Sequence, residues 1–255
     1  MNRQELLARI AAVAHEAGAA AMQVYATDFE VRGKADRSPV TEADDRAEAV
    51  ILERLAALTP DIPIISEEQA AAGRAPPAGA RFWLVDPLDG TREFIQRNGE
   101  FTINIALIEA GAPTLGVVLA PALGRLFAGA VGCGAHTHDA GGERSIACRS
   151  APAEGVTVVA SRSHGDADAL ENFLAEHKVA ANTSAGSSLK FCLVAAGEAD
   201  LYPRLGRTME WDTAAGHAVL AAAGGRVTTL DGVDLRYGKP GLDNPHFVAR
   251  GLSDA

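Results

Sequence analysis

The residues best suited to chemistry lie in the segment Trp83-Leu-Val-Asp-Pro-Leu-Asp-Gly-Thr-Arg-Glu-Phe94. Pro87 disfavours the helical conformation at Asp86, so Asp86 is expected to end a strand with its carboxylate projecting from that end. Asp89 follows three residues later, and the carbonyl of Leu88 can face the same point. Two carboxylates and a carbonyl are hard oxygen ligands of the kind that Mg²⁺ prefers. The spacing therefore predicts a magnesium site directly after a strand.

The next two residues predict a neighbouring anion site. Gly90 permits close approach of the backbone to an anion, and a helix beginning near Thr91 would offer its free amides and positive dipole end to a phosphate. The same residues could simply form an exposed turn, because Asp, Pro and Gly favour turns for conformational reasons. Acidic residues elsewhere in the chain argue for the metal and phosphate interpretation.

Two further acidic elements point to the same site. Glu67 follows the apolar run 62–65, and Asp212 is expected to open a helix, where it could also cap backbone amides. If the runs 62–65 and 81–86 form parallel neighbouring strands, Glu67 lies beside Asp86. Carboxylates gathered in one pocket cannot stay ionised at neutral pH unless cations compensate them. Two or three Mg²⁺ ions would do so.

The hydrophobic pattern predicts the elements that hold these residues. Helices are expected over 3–25, from the Thr41 capping box to 59, over 166–178, from Ser187 and over 212–223. Strands are expected at 62–65 and 81–86, in an antiparallel meander of 101–108, 114–120 and 125–131, and at 156–161, 199–203 and 226–230. This order favours a layered α/β (α+β) fold with a domain boundary near 145, between 1–145 and 146–255.

Composition excludes several classes of protein. The chain has 255 residues, 47% of them apolar, and a formal net charge of −10 without a Lys/Arg run, which argues against binding nucleic acid. No apolar run is long enough for an integral membrane segment, and the first 18 residues lack the apolar core of a signal peptide, so a cytoplasmic location is expected. Cys133, Cys148 and Cys192 share no metal-binding spacing and are expected to be buried.

Three motifs give the chain a family resemblance: Ser66-Glu67-Glu68, Asp86-Pro-Leu-Asp89-Gly-Thr91, and Trp211-Asp212 leading to Ala222-Ala-Gly-Gly225. In this order and spacing they closely resemble the lithium-sensitive, magnesium-dependent phosphatase superfamily of inositol monophosphatase and fructose-1,6-bisphosphatase, over nearly the whole chain. The stretches 186–195, 201–204 and 211–217 are similar to the CysQ-type 3'(2'),5'-bisphosphate nucleotidases within it. The resemblance implies an αβαβα sandwich and hydrolysis of the 3'-phosphate of adenosine 3',5'-bisphosphate.

The resemblance also implies roles for individual residues. It implies metal ligands at Glu67, Asp86, the Leu88 carbonyl, Asp89 and Asp212. It implies catalytic residues that orient or activate water at Asp44, Glu67 and Thr91. It implies substrate contacts at Glu67, Asp89, Gly90, Thr91, Gly186, Ser187, Ser188, Lys190, Arg204 and Asp212. Relatives occur as monomers and dimers and some associate with membranes, which leaves a homodimer and a peripheral position on the inner face of the cell membrane open.

Some features keep two interpretations. The loop 34–37 could close over the metals or be a solvent-exposed connection, and Arg207 could contact the second phosphate or be solvated. His136 and His138 could share a metal only if they lie on a strand, and His217 is interpreted as a packed helix residue. An inositol-monophosphatase-like or sugar phosphatase with the same metal site, and a non-catalytic anion-binding module, remain the alternative functions.

Overall fold

The computed structural model describes residues 1–33, 39–161 and 167–252. The helices are α1 Arg3–Tyr25, α2 Glu42–Leu58, α3 Glu67–Ala71, α4 Thr91–Ile95, α5 Ala167–Leu174, α6 Leu189–Ala195 and α7 Trp211–Ala222. The strands in the first part are β1 Val31–Gly33, β2 Pro39–Thr41, β3 Ile64–Ser66, β4 Arg81–Asp89, β5 Thr102–Glu109, β6 Ala112–Ala120, β7 Arg125–Ala130, β8 Gly134–Asp139 and β9 Gly142–Ile146. Those that follow are β10 Val156–Ala160, β11 Val179–Ser184, β12 Leu201–Arg204, β13 Thr208–Met209, β14 Arg226–Thr229, β15 Asp243–Asn244 and β16 Phe247–Arg250.

The larger sheet has the strand order β3-β4-β5-β6-β7-β8-β9. Strand β3 is parallel to β4, and each later strand is antiparallel to the one before it. The predicted meander over β5, β6 and β7 is confirmed. It continues into the hairpin β8–β9, which the sequence did not predict, because glycines such as Gly132, in the turn before β8, and Gly142, at the start of β9, interrupt the apolar alternation.

Helices α1 and α2 cover one face of the larger sheet, as their apolar stripes require. Each begins with a capping box: Asn2 accepts from the Glu5 amide at 2.8 Å, and Thr41 is paired reciprocally with Asp44. Fully buried residues of the two helices, such as Ile10 and Ile51, pack in one cluster with the strands. The predictions of helices over 3–25 and from Thr41 to 59 are confirmed.

Helices α6 and α7 fill the space between the larger sheet and a smaller one, whose order is β11-β10-β12-β16-β14. Gly116 of β6 lets α7 approach closely, because a Cβ there would collide with the carbonyl oxygen of Ala215. Phe173 and Leu174 of α5 pack on the outer face of the smaller sheet. The layers are therefore α, β, α, β and α, which confirms the expected sandwich.

The two predicted halves share a hydrophobic core. Phe82 and Phe127 of the larger sheet belong to the same buried cluster as Phe191 of α6 and Phe247 of β16. The chain leaves the larger sheet at Ile146 and enters the smaller one at Val156. The division into domains 1–145 and 146–255 stays a prediction.

Several predicted boundaries are wrong for identifiable reasons. Strand β4 continues through Pro87 to Asp89, where the sequence suggested that it ends at Asp86. The helix predicted from Ser187 begins at Leu189, because Ser187 has φ +51°, outside the α-helical region. Helix α5 ends at Leu174 rather than near 178, because β11 begins at Val179 and pairs with β10.

The cysteine prediction is also partly wrong. Cys148 and Cys192 are buried, as expected, and burial raises the pKa of the Cys148 thiol to about 11. Cys133 is exposed, because it lies in the turn that joins β7 to β8. Among the described residues, no helix is long and apolar enough to cross a membrane.

Candidate active site

A β-bulge brings Asp86 and Asp89 to the same face of the larger sheet. Asp86 lies opposite Asn104 of β5, and Asp89 lies opposite Thr102, so three steps along β4 match two along β5. Residues three apart on a regular strand would point to opposite faces, and the extra residue restores the parity. Both carboxylates therefore emerge on the α7 side.

Glu67 and Asp212 reach this point from other elements. Strand β3 is parallel to β4 with Ser66 opposite Val85, so Glu67, which directly follows β3, lies beside Asp86 as the sequence predicted. Asp212 is the second residue of α7, and its carboxylate accepts a hydrogen bond from the Met209 amide at 2.8 Å. The four carboxylates line one cavity of about 350 Å³, together with Leu88.

Asp212 is not the first residue of its helix. Glu210 holds the N-cap position, and its buried carboxylate accepts from the amides of Gly238 at 2.7 Å and Lys239 at 3.0 Å, and from Lys239 Nζ at 2.5 Å. This anchor fixes the start of α7 to the loop that precedes β15. The predicted capping role of Asp212 is replaced by its bond to the turn before the helix.

The four carboxylates repel one another electrostatically. Burial raises the pKa of Asp86 well above its ordinary value, and the charges of Glu67, Asp89 and Asp212 raise it further. The pKa of Asp212 is raised for the same reasons, by burial and then by Asp89 and Glu67. Burial raises the pKa of Asp89 to about 6, although the Lys190 ammonium opposes the shift. A bound cation would offset this repulsion and lower the raised pKa values, because it favours the ionised carboxylates.

The oxygen donors around the cavity suit an Mg²⁺ ion that keeps several waters, rather than a metal ion enclosed entirely by side chains. Among the described residues, no three His, Cys, Asp or Glu side chains are placed to enclose one metal ion. Mg²⁺ commonly uses one or two carboxylates and completes its shell with waters and phosphate oxygens. The cavity offers the carboxylates of Glu67, Asp86, Asp89 and Asp212 and is also lined by Leu88, so its donors are of the kind that Mg²⁺ uses.

Gly90 and Thr91 line the cavity next to these acids. Gly90 has φ +89°, and a Cβ there would collide with Ser187 Oγ, so only glycine lets the two segments meet at this point. The expected helix after Thr91 is present as α4, but it has only five residues. The glycine therefore serves the contact with Ser187, and an anion site at Gly90 and Thr91 stays a prediction.

The segment predicted to contact the nucleoside divides into two groups. Ser187, Lys190 and Arg204 line the cavity, and Lys190 Nζ donates to the carbonyl of Ser187 at 2.5 Å. Gly186 and Ser188 are buried and are not part of the cavity wall. A Cβ on Gly186 would come within 2.8 Å of the Glu100 carbonyl oxygen, so its role here is close packing.

Asp44 lies outside this cavity wall. Its carboxylate is buried and accepts from both the amide and the hydroxyl of Thr41, each at 2.8 Å. The structure thus places Asp44 at the start of α2, as part of the capping box. Its expected role in orienting water stays a prediction.

The structure places Arg207, His217 and the two histidines of β8, for each of which the sequence left two interpretations. Arg207 also lines the cavity, and its exposed guanidinium pairs with Asp243 at 2.9 Å. His217 packs inside the protein beside the Tyr237 hydroxyl at 3.0 Å, which confirms its interpretation, and burial lowers its pKa to about 4. His136 and His138 do share a face of β8. The loop 34–37 lies outside the described residues.

Sequence reasoning missed part of the cavity wall and its support. Tyr202 and Thr208 line the cavity, and Thr102 and Asn104 lie beneath it. The last two left a signal in the sequence, because they are polar residues alternating with Ile103 on a strand that is otherwise apolar. Polar groups in such positions need a buried partner.

The chain belongs to the inositol monophosphatase family, whose sequence model matches residues 2–250. The 3'(2'),5'-bisphosphate nucleotidase CysQ of Salmonella typhimurium is 52% identical over 234 residues, and the alignment covers 91% of this chain and 94% of that one. CysQ of Escherichia coli O157:H7 is 51% identical over 236 residues, with the same coverage. The crystal structure of CysQ from Bacteroides thetaiotaomicron, a member of the same family, superimposes with a TM-score of 0.82 at 35% identity and covers 98% of both chains.

Proposed function

We propose that this protein is a Mg²⁺-dependent phosphomonoester hydrolase that removes the 3'-phosphate of adenosine 3',5'-bisphosphate to give AMP and phosphate. The observation that carries the proposal is the convergence of Glu67, Asp86, Asp89 and Asp212 on one cavity. The relatives at about half identity are named 3'(2'),5'-bisphosphate nucleotidase, which supports a nucleoside bisphosphate as the substrate.

The residues that line the cavity would have different roles in the reaction. Glu67, Asp86, the Leu88 carbonyl, Asp89 and Asp212 would hold two or three Mg²⁺ ions. These ions, when bound, acidify water and neutralise charge on the phosphoryl oxygens and on the leaving oxygen. The side chains and backbone around the cavity would bind and orient the substrate.

The phosphate would lie against the backbone at Gly90 and Thr91, which line the cavity beside the carboxylates. The hydroxyl of Thr91 and the carboxylate of Glu67 would orient or activate the attacking water, and the family resemblance gives Asp44 a part in this role. In-line attack from this side needs no covalent intermediate with the protein.

The nucleoside would extend along Ser187, Lys190 and Arg204, which line the other part of the cavity. Lys190 and Arg204 supply positive charge toward the bisphosphate, which a substrate with a single phosphate and no base would use less fully. Gly186 and Ser188 would support this wall from behind. A homodimer and a peripheral membrane position stay predictions.

The test is phosphate release from a panel of substrates at equal concentration with Mg²⁺. Adenosine 3',5'-bisphosphate should be hydrolysed at least about tenfold faster than inositol 1-phosphate or fructose 1,6-bisphosphate. Chelation of the metal should abolish release, and millimolar Li⁺ should inhibit it. Preference for inositol 1-phosphate or a sugar phosphate would favour the alternative phosphatases, and absence of all release would favour a non-catalytic module.

A further inference from the structure

A buried chain of polar side chains runs from β5 to Asp89. Thr102 Oγ1 and Ser188 Oγ are 3.1 Å apart, and Ser188 Oγ donates to Asn104 Oδ1 at 2.6 Å. Asn104 Nδ2 donates to Asp89 Oδ2 at 3.4 Å. Thr102, Asn104 and Ser188 are each at most 2% exposed, so these groups depend on one another rather than on solvent.

The direction of every proton in this chain follows from the chemistry of the groups. An amide oxygen only accepts, so Ser188 must donate its single hydroxyl proton to Asn104. Thr102 must then be the donor to Ser188. With its oxygen engaged, Asn104 presents its N–H to Asp89, and the flipped amide would set oxygen against carboxylate. All three hydrogen bonds therefore point toward Asp89.

The placement of Asn104 follows from the bulge. Asn104 lies opposite Asp86 and Thr102 lies opposite Asp89, so both partners share the face on which the carboxylates emerge. The contact from Asn104 takes one oxygen of Asp89, and the other remains available to the cavity. At 3.4 Å this last hydrogen bond is longer than the usual N–H···O distance, and it is the contact through which Asn104 can direct the carboxylate.

A second connection ties the same two segments. Ser187 Oγ lies 2.8 Å from both the Asp89 carbonyl and the Glu100 carbonyl. The Gly186 amide donates to Glu100 Oε2 at 2.6 Å. The segment 186–188 is thus fixed to the end of β4 by the Ser187 hydroxyl, and to Glu100 by the Gly186 amide, in addition to the contacts of Ser188.

We propose that Asn104 is a positioning residue: aligned by Ser188 and Thr102, it holds the Asp89 carboxylate facing the cavity and ties it to the segment that forms the nucleoside wall. The proposal rests on the proposed function for the identity of the ligand, but the orientation of Asp89 is a property of this chain. Displacement of the 187–190 wall would be transmitted to Asp89 through Ser188, and metal binding at Asp89 would stiffen that wall.

The test replaces each of the three hydrogen-bonding residues in turn and measures Mn²⁺ affinity and kcat. Asn104→Leu removes the donor to Asp89, and Ser188→Ala removes the hydroxyl that aligns Asn104. Thr102→Val removes the hydroxyl at the far end of this series of hydrogen bonds. Mn²⁺ binding to the substrate-free protein, followed by electron paramagnetic resonance, should weaken about tenfold, about threefold and less than twofold, in that order. The value of kcat for adenosine 3',5'-bisphosphate should fall in the same order, by about 100-fold for Asn104→Leu.

Control variants distinguish a positioning role of Asn104 from the general effect of losing a buried hydrogen bond. Thr137 is as buried as Thr102 and donates to the Leu126 carbonyl at 2.9 Å, far from the cavity, so Thr137→Val should lower stability without changing Mn²⁺ affinity. Thr102→Ser keeps the hydroxyl and should behave as the wild type. Effects that follow the melting temperature of the variants rather than their distance from Asp89 would overturn the proposal.

The outcome is readable whatever the substrate proves to be. Wild-type affinity for Mn²⁺ in Asn104→Leu would overturn the positioning role even if the nucleotidase activity is established. If the wild type failed to hydrolyse the bisphosphate, the graded loss of Mn²⁺ affinity would still support the role of Asn104. Should Asn104→Leu not fold, Ser188→Ala and Thr102→Val, which only remove a hydroxyl, carry the same comparison.

Discussion

The two faces of the larger sheet are built from the same strands and do different work. On the side of α1 and α2, Val85 of β4 and its neighbours Ile103 and Ile105 of β5 are fully buried in an apolar cluster. On the side of α7, Leu84 and Ala106 are equally buried. Beyond them, the same face becomes polar and carries the carboxylates and their hydrogen-bond partners.

The difference shows how stability and chemistry are separated within one sheet. The helix-pair face removes apolar surface from water along its full length, which stabilises the fold. The α7 face does so only in its middle and ends in buried acids, whose raised pKa values report unfavourable interactions in the metal-free protein. Substitutions on the two faces should therefore have opposite consequences for activity and stability.

The largest effect is expected at the polar end of the α7 face. Asp86→Asn removes a proposed metal ligand and should lower kcat/KM by about 10³-fold or more, equivalent to about 4 kcal/mol. The same substitution removes a buried like charge, so it should raise the free energy of unfolding of the metal-free protein. Denaturant unfolding in chelator, beside the phosphate-release assay, measures both.

The matched control for this substitution is Asp61→Asn, a loss of one carboxylate on the exposed surface. It should leave both quantities unchanged. If Asp86→Asn instead destabilised the chelated protein, the carboxylate would be a structural group and the contrast between the faces would fail.

The next effect is expected on the apolar face. Ile105→Ala leaves a cavity under the helix pair and should lower the free energy of unfolding by about 2–5 kcal/mol. Turnover per folded molecule should stay within about twofold of wild type, because Ile105 points away from the carboxylates. Urea unfolding, with kcat corrected for the folded fraction, provides the measurement; a large loss of kcat in fully folded protein would contradict it.

A pH-dependent effect of about 3 kcal/mol is expected from His217 on α7. Its pKa falls from 6.5 in the unfolded chain to about 4 in the folded protein, because burial disfavours the charged ring. Between those values the unfolded state binds more protons, so stability falls as the pH is lowered from about 6.5 to 4. His217→Gln should remove this part of the pH dependence.

The comparison of wild type with His217→Gln isolates the imidazole from the acids. Raised pKa values at Asp86 and Asp212 act in the opposite direction, since their cost appears as pH rises. The difference between the two unfolding curves over pH 4–7 cancels the acids. Equal slopes in the two proteins would show that His217 is not buried as a neutral ring.

The smallest effect is expected at the edge of the helix-pair face. Trp83 Nε1 donates to Thr59 Oγ1 at 2.9 Å, just after α2 ends. Thr59→Val should cost about 1 kcal/mol by leaving the buried indole N–H without a partner, and Thr59→Ser should cost less. Thermal unfolding measures both, and neither should alter turnover; equal losses from both substitutions would point to packing instead.

Much of the fold could be predicted from local pattern. Helices α1 and α2 were predictable because their apolar stripes and capping boxes act within a few residues of chain. The meander was predictable where its strands alternate clearly, and was missed at β8–β9, where glycine turns break the pattern. Cys133 was misplaced because the pattern does not show which residue of a turn faces solvent.

For the site, the sequence by itself determined the chemical groups: Asp86, Asp89, Gly90 and Thr91 lie close together along the chain, and Glu67 follows a short apolar run of its own. The parallel pairing of β3 with β4, which brings Glu67 beside Asp86, is a property of the folded sheet. Tertiary structure decided how they face. The bulge that aligns Asp86 with Asp89 exists only because β5 fixes the register, and the orientation of Asn104 depends on Ser188, 84 residues away. Spacing along the chain fixes which groups can be near one another, whereas a side chain's direction depends on partners that only folding supplies.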